Sequence, residues 1–296
     1  MGEEPPFFSI IVPTYDRPGQ LATCLHSLSR LDYRRDRFQV IVVDDGSKIP
    51  LEVAVASFND RLDVALLTQP QAGPATARNT GVARAKGDFL VFTDDDCAPT
   101  PDWLRKLAAC FSAAPDRGIV GRTLNTLPDN LYSTASQLLI DYLCAYYNAD
   151  PNQAHFITSN NLAVPADSFH AIGGFDMTFP RAGGEDREFC DRWLRHGYRM
   201  TYAKEVLVYH NHRLTFRAFW RQHFNYGRGA FRFHHLRAQR GSERIRLEPF
   251  SFYQNLLRYP LSQAPGRRAL LLAVLLVVSQ AANAAGFFWE KLHRDS

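Results

Sequence analysis

Short apolar runs alternate with amphipathic stretches along the first two hundred residues. Residues 7–13, 38–45 and 63–68 are apolar runs with the length of buried strands. Between the first two, Pro18 is followed by leucines at helical spacing on one face: Leu21, Leu25, Leu28 and Leu31. This alternation predicts an α/β fold in which helices flank a sheet.

The following segment continues the alternation. The small residues between Pro74 and Gly87 predict a helix, with proline at its start and glycine at its end. The run FLVFT after it predicts another buried strand. Thr100 and Pro101 then predict the start of a helix with four apolar side chains facing inward: Trp103, Leu104, Leu107 and Phe111.

The pattern is less regular in the second half of the chain. Residues 123–156 give no clear prediction. Beyond them, the sequence predicts a strand, a turn and a short helix over 157–176, a helix from near Glu185 to Gly197, and two short strands over 200–212. No internal repeat or low-complexity segment interrupts this order.

The composition is that of a globular protein and excludes a mainly disordered chain. Of the 296 residues, 46% are hydrophobic and 22% are charged. The five cysteines have no C-x-x-C spacing, which indicates neither a disulfide framework nor a zinc site and favours a reducing compartment. The N-terminal residues lack a basic segment followed by a long apolar one, which argues against a secretory signal.

The C-terminal segment has a different character. Residues 269–289 contain no charged side chain and are flanked by arginine and lysine, so the segment is long enough to cross a bilayer. Its second half includes Ser279, Gln280 and Asn283, which leaves open a helix that lies on the membrane or packs on the domain. The sequence therefore predicts membrane association, by either a peripheral contact or a single C-terminal span.

A basic and aromatic stretch precedes this segment. Residues 213–246 hold nine arginines against one acid, Glu243. The aromatic residues among them are Phe216, Phe219, Trp220, Phe224 and Phe231. The stretch predicts one or two helices that either pack normally beside a solvated face or form a membrane-facing or acceptor-binding surface. No other feature supports nucleic-acid binding, so no nucleic-acid partner is predicted.

Acidic residues cluster where two predicted strands end. Asp44 and Asp45 end one strand, and Asp94, Asp95 and Asp96 follow another. Open α/β sheets bind ligands at the carboxyl ends of their strands. Clustered carboxylates repel one another unless a cation joins them, and a divalent cation takes oxygen ligands. The alternative is that these acids only cap helices in water.

The order of the motifs carries a family resemblance. An acidic pair followed by Gly-Ser, a later D-x-D and a still later E-D occur in the segments SIIVPTYDRP, VIVVDDGS, GPATARNTGVARAKGDFLVFTDDD, SNNLAVPADSFHAIGGFD and GGEDREFCDRWLRHG. Over about residues 7–212 these segments resemble inverting family 2 glycosyltransferases of the bacterial type. The resemblance implies the GT-A fold, a Rossmann-like mixed α/β sheet flanked by helices that binds nucleotide-diphospho-sugars.

The same resemblance implies the contacts of the nucleotide. Pro13, Tyr15 and Arg17 would border the nucleotide pocket, and Asp45 would reach the base. Arg78 would lie near the base and the pyrophosphate, where a guanidinium suits phosphate. A surface charge on a helix is the plain structural alternative for this arginine.

The resemblance also implies a metal site beside the donor sugar. Asp94 and Asp95 would face the ribose, the donor sugar or nearby water, and Asp96 would bind Mn²⁺ or Mg²⁺. His210 matches the position of a further metal ligand better than His212 does. A histidine after a strand is also commonly structural or exposed.

An inverting transfer needs a base that deprotonates the acceptor hydroxyl. The family pattern places this base at Asp186 rather than Glu185, with Gly183 and Gly184 leaving room for the acceptor. The alternative is that both acids only stabilise a helix N-terminus.

Together these features predict a metal-dependent inverting glycosyltransferase at the cytoplasmic face of the cell membrane. It would transfer a sugar from a UDP-, GDP- or dTDP-sugar to a hydroxyl of a glycan or lipid-linked glycan, in cell-surface polysaccharide or glycolipid synthesis. The expected division is a GT-A catalytic domain (1–212), a basic helical extension (213–265) and an apolar C-terminal helix (266–296).

Two alternatives stay open at this point. A polyprenyl-phosphate glycosyltransferase has an anionic acceptor that needs no base, and the E-D pair favours a hydroxyl acceptor instead. An inactive sugar-nucleotide-binding or membrane scaffold protein would have the same fold without the chemistry. A sugar nucleotidyltransferase is disfavoured, because PTYDRPGQL is not a glycine-rich phosphate loop.

Overall fold

The computed structural model describes residues 4–241 and 248–293, and in these residues eight strands form one mixed sheet. The strands are β1 (Phe8–Thr14), β2 (Phe38–Asp44), β3 (Val64–Thr68), β4 (Phe89–Phe92), β5 (Cys97–Pro99), β6 (Gly118–Asn125), β7 (Leu162–Pro165) and β8 (Met200–His210). Their order is β3-β2-β1-β4-β7-β6-β8-β5. The first four strands in this order are parallel and β7 is antiparallel to β4, so the predicted α/β class with a mixed sheet is confirmed.

Helices cover the sheet and continue beyond it. They are α1 (Pro18–Leu28), α2 (Glu52–Ala56), α3 (Pro74–Val82), α4 (Trp103–Ala113), α5 (Leu131–Tyr147), α6 (Ala166–Ala171), α7 (Glu185–Arg195), α8 (Phe216–Gln239), α9 (Phe250–Gln263) and α10 (Gly266–Leu292). Short 3-10 helices lie at Arg35–Arg37 and Ser159–Asn161. The segment 123–156, which has no clear sequence pattern, holds the end of β6 and all of α5.

Both faces of the sheet are buried, which explains why its strands are continuous apolar runs. Ile10 of β1 belongs to a core cluster with Leu25 of α1 and Leu104 of α4. Its neighbour Ile11 belongs to a second cluster that includes Trp193 of α7. Successive side chains of a strand point to opposite faces, so each strand contributes to both clusters.

The sequence predicts two short strands in this region, whereas the structure has one strand, β8. It runs without a break from Met200 to His210, and its pairing with β6 shifts between Gly121 and Arg122. Exposed Lys204 and Glu205 interrupt the apolar pattern near this shift, and they account for the predicted division.

Two helices are shorter than predicted. α3 ends at Val82 rather than near Gly87, whose backbone packs so closely on β1 that an added Cβ would lie 2.7 Å from the nitrogen of Ser9. α4 begins at Trp103 rather than Pro101, because Thr100 donates its hydroxyl hydrogen bond to Asp102 at 2.7 Å and does not cap the helix.

The short strand β5 changes the position of the acidic loop. The sequence predicts that the three aspartates lie in a loop between a strand and the helix that begins near Pro101, whereas β5 follows them within that loop and pairs antiparallel with Val208–His210 of β8. In this pairing Cys97 lies opposite His210, and the backbone N–H of Asn211 donates to the carbonyl oxygen of Asp96 at 2.8 Å. The end of β8 is therefore fixed beside Asp96.

The helices α5, α8, α9 and α10 pack together next to the sheet. α10 lies against α8 with backbones in contact, since a Cβ at Gly227 would overlap the carbonyl oxygen of Asn283. One face of α10 is buried on the protein, and apolar side chains are exposed on the rest: Leu270, Leu271, Val274, Val277, Phe288 and Trp289. By length and composition, with a mean hydropathy of 2.0 over 18 residues, α10 could cross a membrane.

Candidate active site

A cavity of about 1050 Å³ lies at the carboxyl ends of the central strands. Its wall combines the acidic loops, the start of α7, the end of β8 and parts of α5, α8, α9 and α10. All the site residues predicted from the sequence line it: Pro13, Tyr15, Arg17, Asp45, Arg78, Asp94, Asp95, Asp96, Asp186 and His210. The fold thus brings into one space residues that are up to about two hundred positions apart.

Asp96, His210 and His212 form a group that could hold a metal ion. Their potential ligand atoms all lie within 4.8 Å of one another. Nε2 of His210 is 3.2 Å from one carboxylate oxygen of Asp96, and Nδ1 of His212 is 3.1 Å from the other. One carboxylate and two imidazoles suit a divalent transition metal. The sequence motif favours His210 over His212 as a ligand, although the i, i+2 spacing of the two histidines at a strand end indicates that both side chains point the same way.

Gln222 of α8 orients His212. Its side-chain oxygen lies 2.9 Å from Nε2 of His212, and its NH₂ group donates to Ser136 at 2.8 Å and to Tyr226 at 2.9 Å. Because these two bonds occupy the NH₂ group, the amide oxygen accepts from Nε2–H of the histidine. Nδ1 is then the ring atom that faces Asp96, as expected for a metal ligand with an outer hydrogen bond.

The two neighbouring acids of the loop have opposite pKa shifts. Burial would raise the pKa of Asp96, but hydrogen bonds and charge from His210 and His212 outweigh it and hold the pKa well below its usual range. Burial raises the pKa of Asp95 to about 6, although Arg17 and a hydrogen bond from Thr14 act against this. Asp96 therefore remains ionised and available to a cation.

Arg17 and Thr14 hold the acidic loop from the end of β1. Nη1 of Arg17 lies 3.1 Å from Asp95 and 3.2 Å from Asp96. The hydroxyl of Thr14 donates to the other oxygen of Asp95 at 2.8 Å. Arg17 thus engages both acids, Thr14 holds Asp95, and Asp96 also faces the two histidines.

Asp45 shapes the loop that leads into α3, in addition to lining the cavity. One of its oxygens accepts from the side chain of Gln69 at 2.7 Å and from the N–H of Ala72 at 2.8 Å. The other accepts from the N–H of Gly73 at 2.9 Å. Gly73 has φ of 92°, a conformation that favours glycine, and Pro74 starts the helix directly after it.

Arg78 connects the acidic loop to the start of α7. It is buried, with Nη2 2.9 Å from Asp94 and Nη1 3.4 Å from Glu185. Burial lowers the pKa of this guanidinium, but the surrounding carboxylates raise it above its usual value, so the side chain stays charged. The buried guanidinium of Arg78 therefore holds the two acidic motifs together.

Glu185 and Asp186 have different surroundings. Glu185 is buried, and besides Arg78 it accepts from the N–H of Gly183 at 2.7 Å. Asp186 is half-buried, and one oxygen accepts from the N–H of Arg187 at 2.9 Å. Burial and the charge of Glu185 raise the pKa of Asp186 to about 7. A carboxylate that titrates near neutrality on a cavity wall suits proton transfer.

The loop before Asp186 rests on α8 through backbone contacts. Gly183 and Gly184 have φ values of 126° and 97°, and a Cβ at Gly229 of α8 would overlap the carbonyl oxygen of Gly183. A side chain at any of these glycines would displace the loop or strain its backbone.

A family model described as glycosyl transferase family 2 matches residues 9–175, more than half of the chain. The chain belongs to glycosyltransferase family 2. A second model, described as the N-terminal domain of galactosyltransferase, matches residues 144–213, which include Asp186, His210 and His212. The predicted family and the prediction that the protein is an enzyme are confirmed.

This family 2 glycosyltransferase is similar in sequence to several curated glycosyltransferases. It is 27% identical over 227 residues to glycosyltransferase AglE of Haloferax volcanii, covering 76% of this chain and 73% of the relative. It is 28% identical to validoxylamine A glucosyltransferase of Streptomyces hygroscopicus subsp. jinggangensis and 30% identical to pre-mycofactocin glycosyltransferase of Mycobacterium tuberculosis. These matches cover 68% and 71% of this chain but only 54% and 43% of those relatives.

Solved glycosyltransferase structures share the fold. The mannosyltransferase PcManGT of Pyrobaculum calidifontis, in complex with GDP-Man and Mn²⁺, has a TM-score of 0.70 at 19% identity and matches 97% of this chain and 88% of its own. TarS residues 1–349 of S. aureus, in complex with UDP-GlcNAc, has a TM-score of 0.56 at 17% identity and matches 98% of this chain and 92% of its own. The predicted GT-A-like fold of the family 2 glycosyltransferase is thereby confirmed.

Proposed function

We propose that the protein is a metal-dependent inverting glycosyltransferase that transfers a sugar from a nucleotide-sugar donor to a hydroxyl of a glycan or lipid-linked glycan. The observation that carries the proposal is that Asp96, His210 and His212 face the same cavity as Asp186. A site for a cation and a carboxylate suited to accept a proton therefore adjoin one substrate space.

Asp96, His210 and His212 fit a divalent cation, and the bond from Nε2–H of His212 to Gln222 makes Nδ1 the nitrogen that would bind it, once Nδ1 has lost the proton that it donates to Asp96. When bound, the cation would supply positive charge to the diphosphate of the donor and stabilise the departing nucleoside diphosphate. We favour Mn²⁺ over Mg²⁺, because Mg²⁺ prefers oxygen ligands and two of these three are imidazoles.

The donor would lie along the carboxyl ends of β1, β2 and β4. Pro13, Tyr15 and Asp45 would border the nucleotide, with Asp45 toward the base. Arg17 and Arg78 would keep the loop of the three aspartates in place through their ion pairs, and Asp94 would face the ribose or donor sugar.

Asp186 would take the proton of the acceptor hydroxyl as the oxygen attacks the anomeric carbon. Its pKa of about 7 places it near the ideal value for a base at physiological pH. A polyprenyl-phosphate acceptor is already an anion and would not use such a base, so Asp186 favours a hydroxyl acceptor. We propose that α10, which is long and apolar enough to cross a membrane, is the membrane-associated element, and that the protein acts at the cytoplasmic face of the cell membrane.

A screen of UDP-, GDP- and dTDP-sugars with the purified protein tests the proposal. We expect one donor class to be hydrolysed or transferred in the presence of Mn²⁺ and the rate to fall to background with EDTA. Adding excess Mn²⁺ after EDTA should restore it. A rate that EDTA leaves unchanged would contradict metal dependence, and absence of donor binding for all three classes would contradict the proposed activity.

The role of Gln222 gives a specific prediction for metal binding. Gln222→Ala removes the acceptor of the Nε2–H of His212, so we expect Mn²⁺ affinity to fall by about 10- to 100-fold. Titration calorimetry with Mn²⁺ measures the affinity of each variant. Gln137→Ala is a matched control, because Gln137 also lines the cavity but bonds to Thr123 and Asp141. Equal affinities in the two variants would contradict the role of Gln222.

A further inference from the structure

The cavity has a part that a nucleotide-sugar donor does not explain. Besides the acidic loops, its wall includes apolar side chains of α5, α9 and α10, which lie among polar ones such as Gln137, Tyr147 and Glu248: Ile140, Leu143, Tyr253, Leu256, Phe287 and Phe288. A nucleotide, a diphosphate and a sugar are all polar, and buried hydroxyl groups that face leucine or isoleucine lose hydrogen bonds to water without replacement. This part of the cavity suits an apolar group.

The helix α10 connects this apolar part to the outer surface. Phe287 lines the cavity, and Phe288 lines it while remaining 59% exposed. On the same helix, Leu271 and Val274 are exposed, and Arg267 and Arg268 precede the apolar segment. The helix that could lie in a membrane is thus also a wall of the substrate cavity. Phe288 thus belongs both to the exposed surface of α10 and to the cavity wall.

Polar side chains also line this cavity. Asn225 of α8 and Gln280 and Asn283 of α10 offer amide donors and acceptors, which suit the hydroxyls of a saccharide. Arg221 adds an exposed positive charge to the lining. The cavity lining is therefore amphiphilic, with amide and charged groups as well as apolar side chains from the helices.

We propose that the acceptor is a lipid-linked saccharide, with its apolar chain between α5, α9 and α10 and its sugar hydroxyl at Asp186. The proposal rests on the proposed glycosyltransferase function and names its acceptor class. A free oligosaccharide is the competing occupant, and it would leave the aliphatic wall without a matching surface. Burial of each methylene group of a chain should increase affinity by up to about fourfold.

Photo-crosslinking of the full-length protein tests the position of the chain. The probe is decyl β-D-glucoside with a diazirine in the alkyl chain, used below its micelle concentration and mapped by mass spectrometry. We expect labelling on α5, α9 and the cavity side of α10, near Leu143, Leu256 and Phe287. Excess hexyl, octyl and decyl glucosides should compete with potency that rises with chain length, whereas methyl glucoside should not compete.

Paired variants distinguish probe binding in the cavity from probe binding on the outer surface of α10. Leu143→Gln combined with Phe287→Gln should reduce the competable labelling about tenfold, the loss expected when roughly two methylene groups lose their apolar contacts. Leu271→Gln makes the same kind of change on the exposed side and should leave this labelling within twofold. Circular dichroism checks that both proteins fold.

The outcomes distinguish the acceptor proposal from the proposed function. Labelling confined to the exposed side of α10, or labelling that decyl glucoside does not reduce, would overturn the lipid acceptor even if Mn²⁺-dependent donor turnover is intact. Equal labelling in the cavity variant and in Leu271→Gln would overturn it as well. Absence of donor turnover alongside competable cavity labelling would instead refute the glycosyltransferase activity.

Discussion

Replacing Asp186 with asparagine should lower the rate of sugar transfer by about 10²- to 10⁴-fold, the usual contribution of a general base. Asparagine has nearly the same shape and can still accept the hydrogen bond from the N–H of Arg187, but it cannot take a proton. Donor binding should stay within a fewfold of wild type. Single-turnover transfer and calorimetry with the donor measure the two quantities separately.

Asp191→Asn is the matched control for this change. Asp191 lies on the same helix, pairs with Arg195 and Arg237 and does not line the cavity. We expect its transfer rate to be near that of wild type. Transfer by Asp186→Asn at the wild-type rate would exclude Asp186 as the base, and loss of donor binding in that variant would indicate a structural role instead.

The pH dependence of transfer follows from the same residue. The pKa of Asp186 is raised to about 7, and the base must be deprotonated to act. The value of kcat/KM should therefore rise with pH up to about 7 and level off above it, because this constant reports groups of the free enzyme. The residual activity of Asp186→Asn should lack this rise. An unchanged acid limb in the variant would assign the titration to another group.

Replacing Asp96 with alanine should abolish measurable Mn²⁺ binding and lower donor turnover by about 10²- to 10³-fold. The carboxylate is the single anionic member of the proposed ligand set, and it faces both imidazoles. The loss corresponds to several kcal/mol of charge stabilisation at the leaving group. Calorimetry with Mn²⁺ measures the first effect, and donor hydrolysis at the Mn²⁺ concentration that saturates the wild type measures the second.

Asp102→Ala serves as the control for Asp96→Ala. Asp102 is six residues further on, pairs with Lys106 and accepts from Thr100, away from the cavity lining. We expect its Mn²⁺ affinity and turnover to match wild type. If Asp96→Ala binds Mn²⁺ as tightly as this control, the proposed metal ligands are wrong.

The central part of the fold could be predicted because its residues carry strong local patterns. The strands β1 and β2 are buried on both faces, so they are continuous apolar runs, and the leucines of α1 repeat at helical spacing. The acidic residues at the strand ends and the E-D pair were recognised from their order along the chain. In the structure, Asp45, Asp94, Asp95, Asp96, Glu185 and Asp186 line one cavity, whereas Asp44 accepts a hydrogen bond from the backbone N–H of Ser47.

The remaining parts of the fold and of the site could not be predicted, because they depend on contacts between residues that are far apart in the sequence. β5 has only three residues, which is too short for a periodic pattern, and its partner in β8 is more than one hundred residues away. This pairing brings His210 and His212 to Asp96. The bond from His212 to Gln222 depends on how α8 packs, and no local pattern marks that glutamine as a partner.

The glycine contacts of α8 have a mechanical consequence. Gly229 touches the loop that carries Asp186, and Gly227, two residues earlier, touches α10 at Asn283. Both contacts are made by backbone atoms, so no side-chain rotamer is available to absorb a displacement. α8 therefore links the apolar C-terminal helix to the loop of the proposed base through backbone contacts at two nearby glycines. A displacement of α10 that carried α8 with it would therefore also displace the loop that carries Asp186.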